Sequence, residues 1–110
     1  MKRISFFLLC LAIPLVTGCG YEPTRVTIVN DLGSYDIHYI YISGTDEDDW
    51  GLNSLSGNEI LIPGDSIAIG VEPGSYDLQI MDEDGDTYTR WNQQVPAEGY
   101  RWAVRLGELD

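Results

Sequence analysis

The chain has 110 residues, of which 18 are acidic and six basic, and a formal net charge of −12. A chain this acidic repels phosphate backbones, which argues against nucleic-acid binding. It also repels anionic membrane surfaces, so that membrane attachment would need an apolar or lipid anchor rather than a basic patch.

The N-terminus has the organisation of an export signal. Lys2 and Arg3 precede the apolar run ISFFLLCLAIPLV over residues 4–16. This run is too short to span a bilayer, which takes roughly 20 residues. A positive start, a short apolar stretch and small residues after it predict a secretory signal peptide over residues 1–18.

The signal ends in Val16-Thr17-Gly18-Cys19, which resembles the lipobox of bacterial lipoproteins. The resemblance implies diacylation of the Cys19 thiol with palmitate-type chains, cleavage before Cys19 and acylation of the new amino terminus. It therefore implies localisation to the cell envelope on a lipid anchor. More than one acyl chain is needed for stable anchoring. Gly20 in the next position implies sorting to the outer membrane if the host is Gram-negative. The alternative is a secreted protein with an unmodified thiol.

Cleavage would leave residues 19–24 as the lipidated cysteine and a short tether, followed by a domain over residues 25–110. Both cysteines, Cys10 and Cys19, lie outside that domain. The domain is therefore expected to have no disulfide and to depend on packing for stability. Four arginines remain against all 18 acids, so the mature net charge is 4 − 18 = −14.

From Arg25 on, apolar residues recur with a period of two, which is typical of half-buried antiparallel strands. The predicted strands are RVTIVN, DIHYIYIS, DSIAIGVE, SYDLQIMD, DTYTRWNQQV and YRWAVRL. Turn signals such as Pro63-Gly64 and Asp84-Gly85 separate them. We predict an all-β, immunoglobulin-like antiparallel β-sandwich of six or seven strands, with a small barrel as the alternative.

The last predicted strand shows the alternation most clearly. Four alternate residues of this strand are expected to face the core: Tyr100, Trp102, Val104 and Leu106. Arg101 and Arg105 are expected to face outward and to pair with strand carboxylates such as Asp77 across the sheet.

The middle of the chain resembles a family of small exported bacterial proteins. The shared pattern is Tyr-[Ile/Val]-Ser, an acidic loop, Trp-Gly-x-[Asn/Asp]-x-x-Leu, Leu-x-Pro-Gly-x-Ser, a Tyr-Asp-Leu strand and an Asp-Gly hairpin. The matching residues are Tyr41, Ser43, Trp50, Gly51, Asn53, Leu55, Pro63, Gly64, Ser66, Tyr76, Asp77, Leu78 and Gly85. The resemblance covers about two-thirds of the mature chain and implies export and the β fold, but no activity.

Two acidic loops, 46–49 and 82–86, suggest a calcium site, because Ca²⁺ takes six to eight oxygen ligands. The candidate ligands are Asp46, Asp48, Asp49, Asp82, Asp84 and Asp86. They would form one site only if the two loops meet at the same end of the sandwich. The spacing does not match an EF-hand, and the simpler interpretation is that these carboxylates belong to solvated turns.

Aromatic residues suggest a partner surface, because they are enriched in binding hot spots. Trp91 is expected to be partly exposed, and Tyr39 and Tyr41 share one face of a strand. The partner would be another envelope protein or a glycan. Trp102 is expected in the core, and Trp50 is expected to plug one end of the core.

Catalytic chemistry has little support in the sequence. His38 is the only histidine, and no nucleophile in a known arrangement, phosphate-binding loop or two-histidine metal motif accompanies it. The sequence therefore predicts a lipid-anchored, non-catalytic interaction or structural module without a cofactor. The alternative is a calcium-dependent binding module.

Overall fold

The computed structural model describes residues 23–110. The predicted signal peptide and the lipidation site Cys19 lie outside the described residues. The described part contains six strands: β1 Thr24–Asn30, β2 Ile37–Gly44, β3 Ser66–Val71, β4 Gly74–Asp82, β5 Thr87–Val95 and β6 Tyr100–Val104. A short 3-10 helix, Leu106–Glu108, follows β6. Each predicted strand is confirmed, with bounds that differ by one or two residues.

The strands form two three-stranded sheets, ordered β3-β1-β6 and β2-β4-β5. The burial of side chains alternates along β1, along β3 and along the second half of β4, as the period-two pattern predicts. All pairs are antiparallel except β1 and β6, which run parallel with Val26 opposite Tyr100. The prediction of an all-β sandwich is confirmed, and the first and last strands of the described chain lie side by side.

The core lies between the two sheets. Each sheet contributes buried apolar side chains to one continuous cluster, and the loops add three leucines. Its members are Val26, Ile28, Leu32, Ile37, Ile40, Leu55, Leu61, Leu78, Ile80, Tyr88, Val95, Trp102 and Val104. The six strands of the described chain and this whole cluster lie between residues 24 and 104, so the segment 20–110 contains the complete described core.

Trp102 is buried, as predicted, but the prediction for Leu106 is wrong. Leu106 is 49% exposed, because β6 ends at Val104 and the chain turns into the 3-10 helix. That turn brings Glu108 back onto Trp102, whose indole N–H donates to Glu108 Oε2 at 3.0 Å. Arg90 stacks on the same ring, with Cζ 4.7 Å from its centroid.

The predicted pairing of Arg101 and Arg105 with Asp77 is also wrong. Asp77 belongs to β4, in the opposite sheet. Arg105 instead forms an ion pair with Asp31 at 3.0 Å, and Arg101 is exposed on the outer face of the β3-β1-β6 sheet. Asp77 lies on the outer face of the β2-β4-β5 sheet, opposite to the buried side chains of β4.

The edge of β2 is covered by the long segment that links β2 to β3. The side-chain oxygen of Asn53 accepts a hydrogen bond from the backbone N–H of Ile40 at 2.9 Å, and Ile37 forms a bridge with Leu61. These contacts take the place of a neighbouring strand, since an uncovered edge is prone to pair with other chains. No helical turn forms between Leu52 and Leu55 in the described chain.

Candidate partner-binding face

Four aromatic rings lie in contact across the outer face of the β2-β4-β5 sheet. Tyr39 and Tyr41 stack in parallel, with centroids 6.1 Å apart and planes 5° apart. Trp50 joins them, 6.4 Å from Tyr41, and lies 5.4 Å from Trp91. We call Tyr39, Tyr41, Trp50 and Trp91 the aromatic row. It crosses the sheet from the edge strand β2 to the edge strand β5.

The row is open to solvent at both ends. Trp91 is 65% exposed and Tyr39 is 41% exposed. The expected exposure of Trp91 and of the tyrosine face of β2 is confirmed. A contiguous exposed apolar surface with polar residues around it often marks a binding site.

A β-bulge sets the direction of Trp91. The pairs Tyr76–Gln93 and Leu78–Arg90 leave only Asp77 of β4 opposite two residues of β5, Trp91 and Asn92. Asn92 takes the left-handed conformation with φ 53°, and its N–H donates to Asp77 Oδ1 at 2.8 Å. A bulge of this kind re-aims a side chain. Here it keeps Trp91 on the outer face while Val95 still reaches the core.

Trp50 does not plug the core, contrary to the prediction. It is half-buried and packs on Tyr41 and Trp91 outside the sandwich. The loop that carries it is held by Ser43, whose buried hydroxyl donates to the carbonyl of Asp49 at 2.7 Å. The Asp49 carboxylate in turn accepts from the N–H of Gly51 at 3.1 Å, in a left-handed turn with φ 74°. The loop is thereby folded back over the sheet.

At the Trp91 end of the row, the loop that carries Trp50 and the outer face of the sheet border an open cavity of about 120 Å³. Trp50 and Trp91 form its aromatic walls. The other lining residues are Ser43, Glu47, Asp48, Asp49 and Asp77. We call this the acidic cavity, because four of its seven lining residues carry carboxylates.

The first acidic loop, with Asp46, Asp48 and Asp49, therefore borders the aromatic row. The second does not. Asp82, Asp84 and Asp86 lie together, with one carboxylate oxygen from each within 4.8 Å of the others. Ser43 pairs with Asp77 and Ile37 with Asp82, so the two loops lie at opposite ends of β4. The six aspartates do not form one site.

Asp82 has a structural task within the second loop. It is buried, and its Oδ1 accepts hydrogen bonds from the N–H groups of Asp84 at 2.9 Å and Asp86 at 3.0 Å. Its Oδ2 accepts from the hydroxyl of Tyr88 at 2.9 Å. Burial and the hydrogen bond to Asp82 raise the pKa of Tyr88. The Asp84-Gly85 turn, with Gly85 at φ 84°, matches the predicted hairpin.

Comparison with known proteins identifies no relative. No family model matches the chain, and no curated protein or solved structure is significantly similar to it. The resemblance to small exported proteins therefore stays a prediction. Residues 23–110 contain no helix with the length and hydrophobicity of a transmembrane span.

The sequence predicts the exposed members of the row but not the contacts of Trp50 that connect them. The sequence predicts Trp50 at one end of the core and Asp77 beside arginines, and it interprets the acidic loop 46–49 as a solvated turn or a calcium ligand. The order Ser43, Asp49, Trp50 contained one signal, because a serine at a strand end can hold a following loop through its carbonyls. Nothing local indicates that this loop folds back toward β5.

Proposed function

We propose that the chain is a lipid-anchored cell-envelope protein whose β-sandwich is a non-catalytic interaction module. The aromatic row would bind another envelope protein. The single observation that carries this proposal is the exposure of Trp91 at the end of four contacting rings. Tyrosine and tryptophan provide rigid contact area and are enriched among the residues that dominate binding energy.

The way the row is built supports a binding role. A hydrogen-bonded bulge orients Trp91, and a loop held by Ser43 positions Trp50. Neither feature is needed to fill the core, whose cluster contains no member of the row. Side chains held in place before binding lose less entropy on association, which favours affinity.

The anchor rests on the sequence of residues 1–20. If Cys19 is acylated, the full chain expressed in a Gram-negative host should fractionate with membranes. Its mature N-terminus should have the mass of an acylated cysteine. Cys19→Ser should abolish the acylated form, and an unchanged mass and fractionation would overturn the anchor.

The binding role can be tested in the same host by photo-crosslinking. A photo-reactive amino acid at Trp91 should form discrete adducts in the envelope. The matched control is the same amino acid at Ala68, which is exposed on the outer face of β3. Adducts confined to the Trp91 position support the module, whereas adducts to glycan rather than protein, equal patterns at both positions, or no adducts would contradict it.

A calcium-dependent binding module is the second candidate. The observation that favours it is the proximity of the Asp82, Asp84 and Asp86 carboxylates. Calcium sites are built from such oxygen ligands on loops. Against it, both carboxylate oxygens of Asp82 already accept hydrogen bonds within the hairpin.

A further inference from the structure

The acidic cavity combines two features that favour the same kind of ligand. Two of its lining residues are tryptophans, and four others carry carboxylates: Glu47, Asp48, Asp49 and Asp77. A cation over a tryptophan ring is attracted by the ring quadrupole. Carboxylates beside that ring add charge-assisted hydrogen bonds. The cavity is therefore complementary to a positive group and repels anions.

The described chain supplies no cation of its own to this cavity. None of the seven lining residues is basic. Arg90 is engaged with Glu108 and the Trp102 ring. Arg25 and Arg101 are exposed on the outer face of the opposite sheet, and Arg105 pairs with Asp31.

The size of the cavity limits what can enter. Pockets for whole small-molecule ligands usually measure about 300–1,000 Å³, whereas this one measures about 120 Å³. It can hold the head group of one side chain. Guanidinium is planar, stacks on aromatic faces and donates a fork of hydrogen bonds that matches a carboxylate, whereas the ammonium of lysine is a compact, strongly hydrated charge.

We propose that the acidic cavity binds an arginine side chain presented by a basic segment of a partner protein. This proposal rests on the interaction role proposed above and specifies the chemistry of the partner. The rest of the segment would lie along the aromatic row toward Tyr39. The molecule already uses the same chemistry internally, where Arg90 stacks on Trp102 beside the carboxylate of Glu108.

Charge selects this occupant over two others. A second copy of the chain carries the same large negative charge, and like charges oppose association. An anionic membrane surface is repelled for the same reason. A partner with a basic segment is attracted at long range and gains in association rate.

The test is an NMR titration of the segment 20–110, repeated with the full chain in detergent micelles. The three indole N–H signals are assigned with Trp50→Phe and Trp91→Phe. The probe is an end-blocked peptide, Gly-Arg-Gly-Arg-Gly. Matched peptides carry lysine, or citrulline, which keeps the shape of arginine without its charge. We expect the arginine peptide to shift the Trp50 and Trp91 signals saturably and to leave buried Trp102 unchanged.

Two variants check the carboxylates. Glu47→Gln with Asp48→Asn removes two charges at the cavity, where both residues are exposed and their loss should not disturb the fold. Asp65→Asn with Asp84→Asn removes two charges away from the cavity. The first pair should weaken the arginine peptide about fivefold or more, as should Trp91→Ala. The second pair should change the affinity for the arginine peptide less than twofold, because salt screens charges that lie away from the cavity.

Several results would overturn the proposal. The proposal fails if the citrulline peptide binds as tightly as the arginine peptide, or if both charge variants lose affinity equally. It also fails if phospholipid vesicles shift the indole signals and the arginine peptide does not, or if the signals shift with protein concentration without any peptide. If Trp91 forms protein adducts in the envelope but the arginine peptide does not bind, the row docks a partner of other chemistry. In that case this proposal fails while the proposed function stands.

Discussion

Replacing Asp82 by alanine should destabilise the domain strongly, because one carboxylate holds the β4-β5 hairpin together. The change removes three hydrogen bonds, to the N–H groups of Asp84 and Asp86 and to the hydroxyl of Tyr88. Asp84 and Asp86 are exposed and can turn to water. Tyr88 is fully buried, so its hydroxyl is left without a partner.

The magnitude follows from these environments. A buried polar group without a partner costs about 1–3 kcal/mol. The two exposed hairpin bonds should add roughly 1 kcal/mol together, so that the total loss is about 3 kcal/mol. For a domain of this size, that corresponds to a fall in Tm of roughly 12–24 °C. Asp82→Asn keeps an acceptor for the backbone and should lose about half as much.

Urea unfolding of the segment 20–110, followed by circular dichroism, measures these values. Tyr88→Phe combined with Asp82→Ala provides the control, because it removes both partners of the buried bond. The double variant should be more stable than the sum of the single losses predicts, by about 1 kcal/mol. A loss below about 0.5 kcal/mol for Asp82→Ala, or strict additivity in the double variant, would refute the structural role of this carboxylate.

Three further predictions concern the second acidic loop and the bulge. Millimolar calcium should stabilise the segment 20–110 against heat no more than magnesium does. A saturable calcium-specific gain, about 2.7 kcal/mol at 100 times the Kd, that disappears in Asp84→Asn with Asp86→Asn would instead establish the calcium module. Because the pKa of Tyr88 is raised in the folded state, the unfolded chain loses this proton first, near pH 10. Stability should therefore fall as the pH rises above about 10, and a fall of the same steepness in Tyr88→Phe would contradict this. Asn92→Gly should leave stability nearly unchanged, whereas Asn92→Val should cost about 1–2 kcal/mol at φ 53°. Urea midpoints decide this, and equal stability of the two variants would show that the bulge is not strained.

The sequence predicted the strands well because each is a local pattern. Strand β4 alternates Leu78 and Ile80 toward the core, and its Asp84-Gly85 turn requires a positive φ that glycine adopts freely. Both features are determined within a few residues, so no knowledge of the sheet is needed. The same holds for Trp91, whose polar neighbours indicated exposure.

What depended on distant contacts was not predictable. The loops after β2 and β4 are at opposite ends because these two strands pair antiparallel, and the sequence did not reveal which strands pair. Trp50 reaches Trp91 because Ser43 holds the intervening loop over the sheet. Leu106 continues the alternating pattern of β6 in the sequence, but the strand ends at Val104 and the chain leaves the sheet there.

We propose that a partner in the envelope covers the aromatic row. Tryptophan oxidation by a brief hydroxyl-radical pulse, read by mass spectrometry, tests it in intact cells and in the purified protein. A tryptophan introduced by Ala68→Trp, on the outer face of the opposite sheet, corrects for general shielding, and buried Trp102 gives the lower limit. We expect Trp91 to be oxidised rapidly in the purified protein and slowly in cells, while the position 68 tryptophan reacts alike in both. Equal oxidation of Trp91 in cells and in the purified protein would contradict the account.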